Sequence, residues 1–251
     1  MKIPRLKIFT LSFALCWALV ATAGELTVSA AASLGAPMRQ IAALYEQRHP
    51  GETLQLNFGA SGALLQQIAN GAPVDVLATA DQETMQQAVQ AGLVDAAARV
   101  NFIANRLVLV LPAQAAALPK DLADLAGASY QRIALGQPAS VPAGRYARAA
   151  LERAGLWERL APKLIFAQNV RQALDYVARG EVDAGFVYAS DAASAGARVK
   201  LALEVPPGSA IVYPAAPVRA GARPREAQRF VEFLRSAPSR EVLLRHGFSA
   251  L

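Results

Sequence analysis

Serine and other small residues recur at the points where predicted strands give way to predicted helices. Ser33 follows the strand-like run 26–30, and Ser61 follows the alternating run 53–58. A helix N-terminus presents unpaired backbone N–H groups and the positive end of the helix dipole, and both attract anions. A single serine in such a place is more often a simple N-cap. It is the repetition that predicts an anion site.

Three further junctions in the second half of the chain follow the same pattern. Ala143 lies in the first turn of a predicted helix, Val170 begins another that Asn169 caps, and Tyr188 lies at the end of a predicted strand. The donors offered are backbone N–H groups and hydroxyls, and the turns contain no Asp or Glu. Such neutral donors suit a small, fully ionised anion. The pattern argues against protonated phosphate, but it does not separate sulfate from larger oxyanions.

The elements that carry these junctions alternate between strand and helix in two series. Hydrophobic periodicity predicts strands at 26–30, 53–58 and 74–79 in the first series, and at 131–135, 164–167 and 184–188 in the second. Helices are predicted between them, and two more follow at 224–235 and 239–246. This order predicts parallel sheets covered by helices, arranged as two lobes. Since α/β sheets bind ligands beyond the carboxyl ends of their strands, the junctions should meet across a cleft.

The first 23 residues have the pattern of a secretory signal peptide. Three basic residues precede an apolar run at 8–20, and a small-x-small motif at 21–23 predicts cleavage after Ala23. Cys16 is the chain's one cysteine, so the mature protein can form no internal disulfide. Without the leader, 22 basic residues stand against 19 acidic ones, a net charge of +3. These basic residues are scattered, which argues against a nucleic-acid partner.

Catalytic motifs are weak throughout the sequence. The two histidines, His49 and His246, are predicted at helix ends, and the segment 59–63 lacks the second glycine of a G-x-S-x-G nucleophile elbow. No phosphate-binding loop or metal-ligand spacing of His and Cys occurs. We therefore expect a protein that is not an enzyme. A secreted serine hydrolase that uses Ser61 with His246 is the remote alternative.

Two aspartates flank the third predicted strand. Asp75 lies near its start and Asp81 follows its end. We interpret Asp81 as a helix cap and Asp75 as a structural hydrogen-bond partner, rather than as a pair of catalytic carboxylates.

Several segments together resemble one family, the periplasmic molybdate-binding proteins of molybdate ABC transporters. The matching stretches, in chain order, are Ala30-Ala31-Ala32-Ser33-Leu34, Phe58-Gly59-Ala60-Ser61, Gly71-Ala72-Pro73-Val74-Asp75-Val76, Ala80-Asp81-Gln82, Val141-Pro142-Ala143-Gly144-Arg145-Tyr146-Ala147, Asn169-Val170-Arg171 and Val187-Tyr188-Ala189-Ser190-Asp191-Ala192. They cover nearly all of the mature chain, and their combination is far more specific than any one of them.

The resemblance implies an α/β, two-lobed periplasmic binding protein fold of type II. Each lobe would be a mixed, mostly parallel sheet flanked by helices, and two crossover segments would form the hinge. Lobe 1 would comprise residues 24–105 plus 213–251, and lobe 2 residues 106–212. The two C-terminal helices would return to lobe 1.

The resemblance also assigns the ligand donors. Ser33 and Ser61 would bind a molybdate oxyanion from lobe 1, while Ala143 and Val170 would donate backbone N–H groups from lobe 2. Tyr188 would donate its hydroxyl. Molybdenum would be present only within the oxyanion, with no protein ligand bonded directly to the metal.

Gly62 departs from the family's pattern, because members often have a second serine at this place. A glycine keeps the backbone N–H group, so we expect that donor to remain available to the anion. Only an auxiliary hydroxyl would be lost.

The function implied is capture of molybdate, and of tungstate, in the periplasm for delivery to a membrane ABC permease. We expect a monomer that needs no cofactor. A receptor for another tetrahedral oxyanion, such as sulfate, remains the alternative within the same class of binding proteins.

Overall fold

The computed structural model describes residues 24–251, and the predicted signal peptide with its cysteine lies outside the described residues. Within this range the chain forms ten strands and nine α-helices. The strands are β1 Gly24–Ala31, β2 Glu52–Gly59, β3 Val76–Ala78, β4 Val100–Asn105, β5 Leu107–Pro112, β6 Ile133–Gly136, β7 Leu164–Ala167, β8 Ala184–Tyr188, β9 Val199–Val205 and β10 Ile211–Pro217. The α-helices are α1 Gly35–Arg48, α2 Ser61–Ala69, α3 Gln82–Gln90, α4 Pro142–Arg153, α5 Trp157–Leu160, α6 Val170–Ala178, α7 Ala189–Ala195, α8 Pro224–Phe233 and α9 Ala237–Arg245. Short 3₁₀ helices occur at Ala32–Leu34, Ala96–Ala98, Leu122–Ala126, Ala161–Lys163 and Gly196–Arg198.

The strands form two mixed five-stranded sheets. The first has the order β2-β1-β3-β10-β4, and the second has the order β7-β6-β8-β5-β9. In the first sheet β1 runs parallel to β2 and β3, and in the second β6 runs parallel to β7 and β8. Each sheet therefore gathers the carboxyl ends of three parallel strands at one edge, as the two predicted strand–helix series require. The predicted two-lobed α/β fold is confirmed.

The chain crosses between the sheets twice. The first crossing is Arg106, between β4 and β5, and the second is the segment 206–210 between β9 and β10. Ile211 and Val212 pair with β4 as part of β10, so the crossover lies two residues earlier than the sequence-based boundary after residue 212. In the structure, lobe 1 is thus residues 24–105 with 211–251, and lobe 2 is residues 107–205.

Burial follows the position of each strand in its sheet. Leu107 to Leu111 in β5 are all buried, because this inner strand is covered on both faces. The edge strand β2 instead alternates between exposed and half-buried residues.

The C-terminal helices complete lobe 1, since α8 packs on β10 and α9 packs on α1 and β4. Within residues 24–251, no helix has the length and apolarity needed to cross a bilayer.

Candidate functional site

A small pocket lies between the two lobes, at the edges where the parallel strands end. Its cavity volume is about 10 Å³, and its lining residues are Ala31, Ala32, Ser33, Gly59, Ala60, Ser61, Ala80, Val141, Pro142, Ala143, Val170 and Tyr188. All five donor residues predicted in the sequence analysis line this pocket. Pockets for drug-sized organic ligands occupy roughly 300–1,000 Å³, so this one suits a smaller ligand.

Ser33 lies in the 3₁₀ turn between β1 and α1 and is buried. Its hydroxyl does not cap a helix: α1 begins at Gly35, and no side chain caps either the 3₁₀ turn or α1. The Ser33 Oγ instead lies 2.9 Å from the Tyr213 hydroxyl of β10, also in lobe 1. The structure therefore does not support the simple capping role for Ser33.

Ser61 is the first residue of α2 and is fully buried. Its Oγ accepts a hydrogen bond of 3.0 Å from the backbone N–H of Ala80. A backbone N–H can only donate, so Ser61 must be the acceptor in this bond. Its own hydroxyl proton therefore remains to be donated to another acceptor.

Lobe 2 borders the pocket with the first turns of two helices. Pro142 begins α4, so Ala143 is the second residue of that helix, and Val170 is the first residue of α6. Backbone N–H groups in a first turn have no acceptor within their helix. The predicted cap is confirmed, because Asn169 accepts a 3.0 Å hydrogen bond from Gln172 N. The first turns that contain Ala143 and Val170 therefore border the pocket.

Tyr188 ends β8 and lies almost completely buried beside the pocket. Its hydroxyl donates a long hydrogen bond of 3.4 Å to the Ala80 carbonyl of lobe 1. Burial raises the pKa of Tyr188 well above its usual value of 10, so the phenol keeps its proton. Tyr188 is therefore a donor rather than a negative charge, and donation to a ligand would require its one proton to leave the long bond to Ala80.

Every residue that lines the pocket is uncharged. Two buried carboxyl groups lie near the lining residues along the chain. Asp81 directly follows Ala80 and pairs with Arg145. Asp191 follows Tyr188 by three residues, and its Oδ2 accepts a 3.3 Å hydrogen bond from Tyr188 N. Its Oδ1 is buried without a hydrogen-bond partner among the described residues. Burial raises the pKa of Asp191 from 3.8 to about 6, although the charge of Arg171 acts in the opposite direction. The site thus offers hydrogen-bond donors with no carboxylate at its wall.

Gly62 joins the two lobes beside the pocket. Its N–H donates a 3.0 Å hydrogen bond to the Ser140 carbonyl of lobe 2. The expectation that this N–H stays available to the anion is therefore wrong, because closure of the lobes occupies it. A Cβ at this position would lie 2.8 Å from the Ser140 oxygen and 2.9 Å from its Cα. Glycine permits a backbone approach that a serine would obstruct.

An ion pair spans the lobes next to this contact. Arg145 of α4 donates from Nε to Asp81 Oδ2 at 3.1 Å, and its Nη2 donates to the same oxygen and to Thr84 Oγ1. Asp81 also accepts from Thr84 N, which confirms the predicted helix cap. The Asp81 side chain is only 5% exposed and that of Arg145 19%, so solvent screens the pair less than a surface bridge.

The other predicted polar residues lie in structural places. Asp75 accepts hydrogen bonds from Thr27 N at 2.8 Å and from Arg223 N at 3.1 Å, as its predicted structural role requires. His246 is the C-cap of α9, and burial lowers its pKa. Among the described residues, no histidine lines the pocket that contains Ser61.

Three residues around the site were missed by the sequence reasoning. Ala80 follows β3, so the rule that placed sites after strand ends could have found it. Asn105 and Tyr213 lie in β4 and β10 and reach the pocket through the side chain of Ser33. No local pattern marks them, because their role depends on contacts across more than one hundred positions of sequence.

A pocket enclosed by the strand ends of two α/β lobes, with neutral donors from both, defines a ligand-binding protein of the two-lobed class. A model of the bacterial extracellular solute-binding proteins matches residues 26–249, and the chain belongs to that family. It is 37% identical over 246 residues to the molybdate-binding protein ModA of Escherichia coli K12, covering 95% of this chain and 94% of that protein. The resemblance found in the sequence is thereby confirmed.

Solved structures with this fold have different ligands. The periplasmic molybdate-binding protein of Azotobacter vinelandii superposes with a TM-score of 0.79 at 24% identity, covering 90% of this chain and 99% of that one. The sulfate-binding protein SubI of Mycobacterium tuberculosis H37Rv also gives 0.79, at 18% identity over 90% of this chain and 86% of that one. The fold is therefore shared between receptors of different oxyanions and does not by itself identify the ligand.

Proposed function

We propose that this protein captures molybdate, and also tungstate, between its lobes and delivers the anion to the membrane permease of an ABC transporter. The observation that supports this most directly is the small pocket between the lobes, lined by uncharged residues from both of them. The 37% identity to a molybdate-binding protein favours molybdate over other small anions.

The proposed donors are the hydroxyls of Ser33, Ser61 and Tyr188 and the backbone N–H groups of Ala143 and Val170. All of these can supply a proton to an oxyanion, Tyr188 by releasing its long bond to the Ala80 carbonyl, and none carries a negative charge. An anion that carries its own proton would need an acceptor at the wall, and no lining residue is a carboxylate. The site therefore favours an oxyanion that is fully ionised near neutral pH.

Binding would proceed by closure of the lobes. The open protein would bind the anion on lobe 1, and lobe 2 would then complete the cage with its helix N-termini and Tyr188. The direct bond from Gly62 to Ser140 and the Arg145–Asp81 ion pair are contacts of this closed arrangement. They would add to the stability of the closed complex without touching the ligand.

Selection against sulfate would depend on size. In a closed cage, a smaller anion cannot reach donors on both walls at once, and each donor left unpaired costs roughly 1–3 kcal/mol. Loss of two such bonds corresponds to on the order of 100-fold in affinity. A sulfate receptor is the alternative function. It would require the lobes to close further, so that donors on both walls reach the smaller anion.

We propose further that the protein is exported by its signal peptide to the periplasm, acts there as a monomer, and needs no cofactor. Binding without catalysis is proposed because Ser61 Oγ is hydrogen-bonded to a backbone N–H and no histidine is among the described residues that line its pocket. A serine nucleophile requires a neighbouring base to take its proton.

Calorimetry on the chain without residues 1–23 tests this proposal. Molybdate and tungstate should each bind at one site per chain, and sulfate should bind at least about 100-fold more weakly. Sulfate binding of similar strength would contradict the size argument and favour the alternative receptor. Hydrolysis of an ester that is lost in Ser61→Ala would contradict the assignment as a binding protein.

A further inference from the structure

A buried chain of hydrogen bonds leads from Ser33 toward lobe 2. Ser33 contacts the Tyr213 hydroxyl at 2.9 Å, and Asn105 Nδ2 lies 3.2 Å from the same hydroxyl. Asn105 Nδ2 also lies 2.8 Å from Ser190 Oγ of α7. All four side chains are buried, and Tyr213 has no exposed surface. Such a network needs a consistent direction for each proton.

The backbone of Arg106 sets that direction. Its N–H donates a 2.9 Å hydrogen bond to Asn105 Oδ1, so the amide oxygen must be the atom that points toward it. The amide nitrogen consequently points toward Tyr213 and Ser190, and its two hydrogens match the two acceptors found there. Tyr213 Oη is thus an acceptor from Asn105.

The Tyr213 hydroxyl has one proton, and Asn105 already donates to its oxygen. The other hydrogen-bond partner of this hydroxyl is Ser33 Oγ, which can accept the proton. Tyr213 therefore donates to Ser33. Since Ser33 Oγ accepts this bond, its own proton is left to point elsewhere, and Ser33 lines the pocket. We propose that Tyr213 is a positioning residue, oriented by Asn105, that directs the hydroxyl proton of Ser33 at a bound oxyanion.

This inference rests on the proposed function, since it assigns Tyr213 a role in binding the same anion. It also gives the two serines of lobe 1 one common arrangement. Ser61 accepts from the backbone of Ala80 and Ser33 accepts from Tyr213, so each hydroxyl has a filled acceptor position and a free proton. Bonds that follow one another in this way polarise the terminal donor.

The Tyr213 ring is held in place independently of its hydroxyl. Edge-to-face contacts surround it, with ring centroids 5.4 Å away at Phe248, 5.8 Å at Tyr188 and 6.5 Å at Phe102. Burial also raises the pKa of Tyr213 well above 10, which keeps the phenol a donor. Tyr213→Phe therefore preserves the packing of the ring and removes the hydroxyl that orients Ser33, which also leaves one N–H of Asn105 without its acceptor.

A double-mutant cycle on molybdate affinity tests the proposal. Tyr213→Phe should weaken binding about 5- to 10-fold, the value of one net hydrogen bond. Ser33→Ala should weaken it more, and Tyr213→Phe added to Ser33→Ala should cause no further loss beyond about twofold. A merely structural role would weaken binding equally in both backgrounds.

Two further variants support the cycle. Tyr45→Phe is the matched control, because Tyr45 is also buried in lobe 1 but donates to Glu52 and does not line the pocket. It should leave affinity unchanged. Asn105→Ala should weaken binding at least as much as Tyr213→Phe, because it also removes the bond to Ser190 of lobe 2. In the Ser33→Ala background its effect should shrink by the 5- to 10-fold that acts through Ser33. It provides a second measurement if Tyr213→Phe folds poorly.

The outcomes separate this inference from the function on which it rests. Tight molybdate binding that Tyr213→Phe leaves unchanged would overturn the positioning role and leave the proposed function intact. Equal losses with and without Ser33 would also overturn it. A wild-type protein that binds no oxyanion would overturn both.

Discussion

Lobe 1 borders the pocket with two serine hydroxyls, whereas lobe 2 borders it mainly with the first turns of α4 and α6. Ser33 and Ser61 each have a side-chain oxygen held by another group of lobe 1. Ala143 and Val170 have apolar side chains, so only their backbone can donate. The donors of lobe 1 therefore depend on residue type, because they are side-chain hydroxyls. Those of lobe 2 depend on backbone conformation, because they are N–H groups at helix starts.

The largest expected effect comes from removing a hydroxyl of lobe 1. Ser61→Ala should weaken molybdate binding about 10- to 100-fold, because a charged acceptor loses a donor and one such bond contributes about 1.5–3 kcal/mol. The change also leaves the buried N–H of Ala80 without its acceptor, which should lower the thermal midpoint of the free protein. Calorimetric titration and thermal unfolding measure the two effects.

Val170→Ala is the matched change in lobe 2. It removes buried methyl groups and should cost about 1–2 kcal/mol of stability, but it retains the backbone N–H group. Affinity should therefore stay within about threefold of wild type, in contrast with the loss in Ser61→Ala. A loss as large as that of Ser61→Ala would contradict the division of the donors between side chain and backbone.

The next largest effect concerns the place where the two walls meet. Gly62→Ala puts a Cβ within 3 Å of the Ser140 backbone, so the lobes cannot approach as closely. Overpacking of this kind costs about 1–3 kcal/mol, and we expect about 10-fold weaker molybdate binding. Gly35→Ala is the control, because its Cβ would meet nothing closer than 3.6 Å. Equal affinity in both variants would show that the Gly62 contact does not limit closure.

A smaller effect is expected from the ion pair between the lobes. Arg145→Gln should weaken molybdate binding about fivefold, because it removes charge-assisted bonds that exist only when the lobes are closed. Asp81 still caps α3 in this variant through its bond to Thr84 N. Arg148→Gln is the control, since Arg148 is half-exposed and pairs with Glu152 on its own helix. A similar loss in both variants would indicate a general effect of charge.

The smallest effect on binding is expected at Asp191, which holds the backbone of Tyr188. Asp191→Asn keeps an acceptor for Tyr188 N and should change affinity by no more than about twofold. Its effect should instead appear in the dependence of stability on pH.

The direction in which stability changes with pH follows from the raised pKa of Asp191. The folded protein titrates this group at about 6 and the unfolded chain near 3.8, so the folded state holds the extra proton between these values. Stability of the wild type should therefore fall as pH rises from 4 to 6 and level off above it, by on the order of 2–3 kcal/mol. Asp191→Asn should lack this fall in denaturant titrations. A wild-type stability that rises from pH 4 to pH 6 relative to Asp191→Asn would contradict the raised pKa of Asp191.

Much of the fold could be predicted from the sequence because its signals are local. The junctions at Ser33, Ser61, Ala143 and Val170 are strand ends followed by helix starts, and each is encoded within about ten neighbouring residues. The caps at Asp81 and Asn169 follow the same short-range rule and are confirmed. Parallel pairing of these strands then brings all the junctions to the sheet edges.

The errors of the sequence reasoning arise where a residue's partner is distant in the chain. Gly62 was expected to leave its N–H to the anion, but Ser140 of the other lobe accepts it. The lobe boundary after residue 212 was implied by the family resemblance, whereas β10 of lobe 1 begins at Ile211 in the structure. Nothing near Gly62 in the sequence identifies Ser140 as the partner of its N–H group.

The sequence by itself determined the types of donor, since serine hydroxyls, helix starts and the absence of carboxylates at the turns are properties of short segments. Only the tertiary structure decided which way those donors point. Ser33 and Tyr213 are 180 positions apart, yet their hydroxyls are 2.9 Å apart in the fold. A hydroxyl can donate or accept, and its choice is fixed by the partners that folding places around it.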